Sequence, residues 1–380
     1  MELSDALAPV LKTAGASAAD VDAQARFPRE AVAALRDSGL LGLTLPREVG
    51  GMGGGPAELV EALAQLAAAC GSTAMVYLMH VSAAMALAAA PPPGRPDLPG
   101  RLANGELLAT LALSEAGSRS HFWAPMSQAE LDDGAGGGAI RLRAGKSWVT
   151  SAGHADVYVV SSLTPPSLAP TEGASDLYVV DAGTDGVRVA GAWRGLGMRG
   201  NASAPMTFDV AVPQADRLGA AGSGLGLKLQ TVMPWFNLGN AAVSVGLARA
   251  AVDAAVAHAI GARLEHLGES LAALPTIRAQ LARASLDLAA TRAYVDVAAR
   301  SLAAPDESTT LHVLGVKAYA NDAALRITDT AMRVCGGAAF SEHLQLDRYF
   351  RDARAGHVMA PTADVLYDFY GKALTGQPLL

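Results

Sequence analysis

Charge is what this chain lacks most. Asp, Glu, Lys and Arg make up only 17% of its 380 residues, against ~25% in ordinary soluble domains. Much surface is therefore expected to be buried, within the chain or between copies of it. The balance is acidic, with a net charge of −7, which argues against the basic footprint of a nucleic-acid binder. An anionic ligand would need local basic side chains rather than a global field. The two cysteines, Cys70 and Cys335, make neither a disulfide framework nor a metal-ligand spacing. The opening residues include Glu2 and Asp5 and no basic stretch, so no secretory leader is expected and the cytoplasm is the expected location.

Charge is missing altogether from Ala62 to Gly94, a run long enough to cross a bilayer. Its composition argues otherwise. Alanine dominates and contributes little to insertion, Gln65 and His80 interrupt the run, and Pro91-Pro92-Pro93 ends it. Two buried helices are expected, separated by a cap at Ser72-Thr73, and no membrane partner.

Residues 1–107 read as helix, with a loop at Leu45–Gly55 and Pro56 opening the next helix. Over 108–220 the texture changes to short β-type runs: 139–143, 157–161, 177–180, 187–190 and 206–210. Turns such as Asp132-Asp133-Gly134 and Thr184-Asp185-Gly186 separate them, and Thr164–Gly173 is a polar excursion. Residues 221–380 return to long Ala/Leu/Val helices, at about 228–262, 275–302, 308–336 and 361–374. An N-terminal helical domain, a central β-barrel and a C-terminal four-helix bundle are expected: a mainly α fold.

Five segments stand out along this frame: the Pro46–Gly54 loop, Ser114–Ser120, Gly145–Thr150, Gly195–Gly200, and Gly336-Gly337 through Thr362. Singly, each has a plain reading, such as a Ser/Gly turn or a core tryptophan. In this order they resemble the acyl-CoA dehydrogenases, flavoproteins that oxidise acyl thioesters. The resemblance implies bound FAD, with Leu113, Ser114, Ser120, Trp148, Thr150, Thr362 and Asp364 on the flavin. It implies that Arg263, Arg333, Gly336 and Gly337 serve the pyrophosphate and adenosine, partly from a second subunit. A homotetramer or dimer follows. Where the family usually has Pro, Gly and Asp in the flavin loop, this chain has Ala116, Arg119 and His121. Trp123, Phe236, Asn237 and Ala360 are expected in the substrate pocket.

The chemistry departs from the family. Dehydrogenation needs a carboxylate to take the α-proton as hydride leaves Cβ for flavin N5, with the thioester carbonyl polarised. The usual glutamate position is Ala360, and the alternative on the first bundle helix falls on Phe236. His121, His357 and Asp364, which lies one turn after Ala360, are the candidate replacements, a histidine being able to act as base near neutral pH.

Three activities follow from the resemblance. The first is oxidation of a Cα–Cβ bond in an acyl-CoA or carrier-bound acyl thioester, with an electron-transferring flavoprotein as acceptor. The second is a monooxygenase fed by a flavin reductase. The third is a non-redox or eliminase-type relative.

Overall fold

The computed structural model describes residues 2–119, 121–132, 138–341 and 344–380. Ser120 lies outside them, as does the Asp132-Asp133-Gly134 turn beyond Asp132.

Five helices open the chain: α1 (Leu3–Ala23), α2 (Arg29–Asp37), α3 (Pro56–Ala69), α4 (Gly71–Ala89) and α5 (Leu98–Ala103). Gly39, at φ 75°, turns the chain out of α2. Pro56 starts α3, where Glu58 Oε2 accepts the Gly55 N–H at 2.9 Å. The charge-free run becomes α3 and α4. The break between them falls at Cys70 with no side-chain cap, and Ser72 Oγ instead accepts the Gly200 N–H at 3.1 Å. α4 is apolar on every side and buried in the fold, as such a helix must be.

Among the described residues seven strands follow: β1 (Ala109–Ala112), β2 (Ala129–Asp132), β3 (Ala139–Val149), β4 (Val157–Leu163), β5 (Ser175–Asp181), β6 (Val187–Val189) and β7 (Ala204–Pro213). They form a three-stranded sheet, β1-β4-β5, and a four-stranded sheet, β2-β3-β7-β6. β7 alternates buried and less buried residues along its length, the period of a half-buried strand. β4 is buried on both faces except at its end. A bulge between Lys146 and Val149 breaks the β3–β7 register and re-aims Trp148.

The remaining helices are α6 (Gly224–Leu227), α7 (Met233–Gly261), α8 (Pro275–Ala303), α9 (Thr309–Cys335), α10 (Gly337–Phe340), α11 (Leu346–Val358) and α12 (Ala363–Leu374). Arg263–Leu264 and Glu269–Ser270 pair as a small hairpin, β8 and β9, between α7 and α8. A π-helical turn, Lys228–Val232, joins α6 to α7. The sequence reading anticipated a helix only from 361 onwards. α11 ends before that, and the segment Met359–Thr362 separates it from α12. One continuous core joins α1–α4 to α7, α8 and α9, so the two helical regions share their interior.

Candidate active site

A cavity of about 950 Å³ opens where the helical regions meet the sheets. Its apolar part comes from Met75 and Met79 of α4, Leu111 and Leu113 at the end of β1, Phe122, and Val232 and Phe236. Ser114–Ala116, Ser147, Trp148 and Thr150 form a second wall. Arg354, Ala355, Val358, Met359, Ala360 and Thr362 form a third.

Two buried lysines hold the second wall and its neighbour. Lys146 Nζ lies 2.5 Å from Glu115 Oε1 and donates to the Ser161 carbonyl at 2.6 Å. Glu115 Oε2 in turn accepts the Met126 and Ser127 N–H groups, both at 3.0 Å. This pairs the charges and fixes both ends of the loop. Burial pushes Lys146 below the ordinary lysine value, and the Glu115 charge opposes that shift. Lys228 Nζ donates to the Trp123 carbonyl at 2.6 Å and to Ser175 Oγ at 3.0 Å, and burial brings it down to about 7.

The cavity margin carries backbone strain. Arg119, Trp148 and Met198 all line the cavity with φ between 48° and 55°, a region that costs a non-glycine residue ~1–2 kcal/mol. Trp148 is 66% exposed and meets Trp193 edge to face at 5.8 Å. Beneath them Thr150 Oγ1 and Ser203 Oγ are 2.9 Å apart. Asn201 lines the cavity, is fully buried, and leaves its Nδ2 without a partner. The short side chains of Ser114, Ala116, Ser147 and Thr150 leave one wall of this wide cleft open to close approach by a flat ring, as flavin is. Leu113, Ser114, Trp148, Thr150 and Thr362 all line this cleft, as does Asn201, which sequence reasoning missed.

The Gly195–Gly200 segment before β7 locks onto α11. Asp352 Oδ1 accepts the Met198 N–H at 2.5 Å, and burial pushes Asp352 up to about 6. A side chain at Gly197 would collide with the Arg351 carbonyl and lie 2.7 Å from Asp352 N. Arg351, at the rim, pairs with Asp22 and Asp347.

Several expected site residues stand elsewhere. His121 is exposed and tilts against Trp123, 4.9 Å between centroids. Trp123 is buried against Phe122 and Phe369 and does not line the cavity. Asn237 turns away, donating to the Val313 carbonyl at 3.0 Å. His357 Nδ1 lies 3.2 Å from Asp322 Oδ1 and is also absent from the lining. Asp364 is exposed at the start of α12. Arg263, Arg333, Gly336 and Gly337 are exposed and do not line the cavity. Phe236 and Ala360 do line it. Among the described lining residues the one carboxylate is Glu115, already paired with Lys146, and there is no imidazole.

Comparisons with known proteins agree along the chain. Family models described as the N-terminal, middle and C-terminal domains of acyl-CoA dehydrogenase match residues 2–91, 110–211 and 222–375. A probable acyl-CoA dehydrogenase, fadE25 of Mycobacterium leprae, is 28% identical over 94% of this chain and 90% of its own. The acryloyl-CoA reductase (NADH) of Anaerotignum propionicum is 28% identical over 92% of this chain and 87% of its own. Among solved structures, butyryl-CoA dehydrogenase from Megasphaera elsdenii superposes with TM-score 0.89, 23% identity and 99% coverage of both chains. The prolyl acyl carrier protein oxidase AnaB superposes with TM-score 0.86, 22% identity and 98% coverage of both.

Proposed function

This chain belongs to the acyl-CoA dehydrogenase family and is an FAD-dependent oxidoreductase, and from that premise we propose that it oxidises the Cα–Cβ bond of an acyl thioester bound in the central cavity. The observation that carries this reading is the cavity itself, with its ring-side wall at Leu113–Ala116 and Trp148–Thr150 facing Ala360 and Thr362. FAD, when bound, supplies the two-electron acceptor. Leu113, Ser114 and Thr150 hold and orient the ring edge, and the apolar end at Met75, Met79 and Phe236 takes the acyl chain and excludes water. CoA and carrier-bound thioesters both remain substrates to test, since AnaB uses this fold on a carrier protein.

Electrons would leave to an electron-transferring flavoprotein. Two or four copies would assemble, with exposed Ile260, Leu286 and Phe340 offering apolar surface and Arg263 and Arg333 reaching a neighbour's dinucleotide. Anaerobic titration of the yellow protein with CoA and carrier-bound acyl thioesters tests the reading. Bleaching of the flavin without added reductant is expected; a flavin that stays oxidised across the panel removes it.

A second reading has one specific observation behind it. With Glu115 paired with Lys146 and no imidazole among the described lining residues, a flavin monooxygenase, which needs no carboxylate to remove an α-proton, also suits the site. Oxygen uptake coupled to substrate hydroxylation, dependent on a flavin reductase, identifies that activity.

A further inference from the structure

Lysine is scarce in this chain: of 29 basic residues only Lys12, Lys146, Lys228, Lys317 and Lys372 are lysine. Arginine serves the surface. Yet Lys146, Lys228 and Lys317 are sealed in the interior, at 2%, 0% and 0% exposure. Each ammonium holds backbone carbonyls of a segment at or beside the cavity. An ammonium presents three donors from one point, which the planar fork of arginine cannot do in a closed space.

Lys317 is the clearest case. It projects from the middle of α9 and donates to the carbonyls of Gly356 at 2.9 Å, Met359 at 3.1 Å and Pro361 at 2.8 Å. Those three carbonyls bracket Ala360. α11 ends at Val358, so the Gly356 carbonyl belongs to the group its helix leaves unsatisfied, and Lys317 caps it from below. Among the described residues no carboxylate compensates the charge: burial alone accounts for its depression to about 7. The ground around it is neutral and polar. Ser244 donates to Asn321 Oδ1 at 2.7 Å, and Asn240 Nδ2 approaches Met359 Sδ at 3.7 Å. A side chain at Gly356 would stand 2.5 Å from Asn321 Oδ1, so any larger residue there would have to displace this cluster.

Keeping an uncompensated ammonium fully buried is expensive, and a chain of this composition has apolar residues for ordinary packing. We propose that Lys317 is a positioning residue for the reaction: it fixes the Met359–Thr362 wall at the depth that sets the bound acyl group against the ring-side wall. This rests on the acyl-thioester reading of the cavity for its kinetic consequence, but not for its structural one.

The test uses Lys317→Met, which keeps the stem and removes the donors, in the FAD-loaded protein. Hydrogen–deuterium exchange is expected to rise in residues 355–366 and to stay as in the wild type over 111–119, which Lys146 holds. FAD affinity should be retained. With any thioester that reduces the wild type, kcat should fall about 10- to 100-fold, the scale of an ångström of misplacement, while KM stays near its wild-type value. Lys228→Met serves as the control, because it should loosen residues 121–125 and leave 355–366 alone. Should Lys317→Met fail to fold, Lys317→Gln carries the same measurements. Unchanged exchange in 355–366, or unchanged kcat, overturns the assignment of Lys317. If no thioester reduces the wild type, the proposed function fails, and the exchange pattern still decides whether Lys317 holds the wall.

Discussion

Glu115 and Lys146 face one another from the loop after β1 and from β3, 2.5 Å apart and almost sealed from solvent. The pair joins two segments that are 31 residues apart in the chain. Removing one partner strands a buried charge, at a cost of about 3–5 kcal/mol. Lys146→Met should therefore lower the urea midpoint sharply and shed flavin on gel filtration. The double variant Glu115→Gln/Lys146→Met should recover part of the loss, because no lone charge is left behind.

Ala360 marks the wall where a base would act. Installing one by Ala360→Glu should speed exchange of the α-hydrogens of a bound acyl thioester with deuterated solvent by about 100-fold or more. Mass spectrometry of the recovered thioester reads this directly. An unchanged exchange rate would mean that position 360 does not look onto the substrate's α-carbon.

His121 was an attractive base on sequence grounds. Its ring instead lies exposed against Trp123. His121→Ala is expected to leave kcat and its pH profile as in the wild type, measured by flavin reduction in stopped flow. Loss of the acid limb, where protonation of a base slows the reaction, would return His121 to the site.

His80 gives the fold a pH dependence of known sign. Its Nε2 is 2.9 Å from the Leu41 carbonyl and its Nδ1 accepts the Ala109 N–H at 3.0 Å, a pattern that only the neutral ring satisfies. Burial pushes it down to about 4. Between about 4 and the unfolded value near 6.5 the unfolded chain binds the extra proton. Stability from this group is therefore intact above pH 6.5 and lost as pH falls through that window, by up to about 3 kcal/mol. Urea titrations across pH 4–7 should show a steeper acid loss in the wild type than in His80→Gln.

The architecture was legible because its signals are periodic: alternation in β7, the apolar faces of the long helices, the glycine and proline breaks. The cavity wall at Ser114–Ala116 and Trp148–Thr150 was legible because small residues and a Trp-x-Thr pattern sit close together in sequence. Other parts were hidden for physical reasons. Asp352 acts through the Met198 N–H, 154 residues away, so nothing local marks it. The roles of Lys146, Lys228 and Lys317 depend on burial, which a charged residue in a sequence does not advertise. Trp123 and Asn237 were misjudged for a related reason: adjacency to a lining residue does not decide which way a side chain turns.

The π-helical turn Lys228–Val232 has a consequence for how this protein tolerates change. One surplus residue in that turn offsets everything before it by about 100° of rotation about the axis. Lys228 reaches Trp123 while Val232 and Phe236 look into the cleft, because that offset reconciles two otherwise incompatible headings. Deleting a single residue from 229–231 would tighten the coil to ordinary pitch and swing one of the two off target. Length here is as much a determinant as side-chain identity.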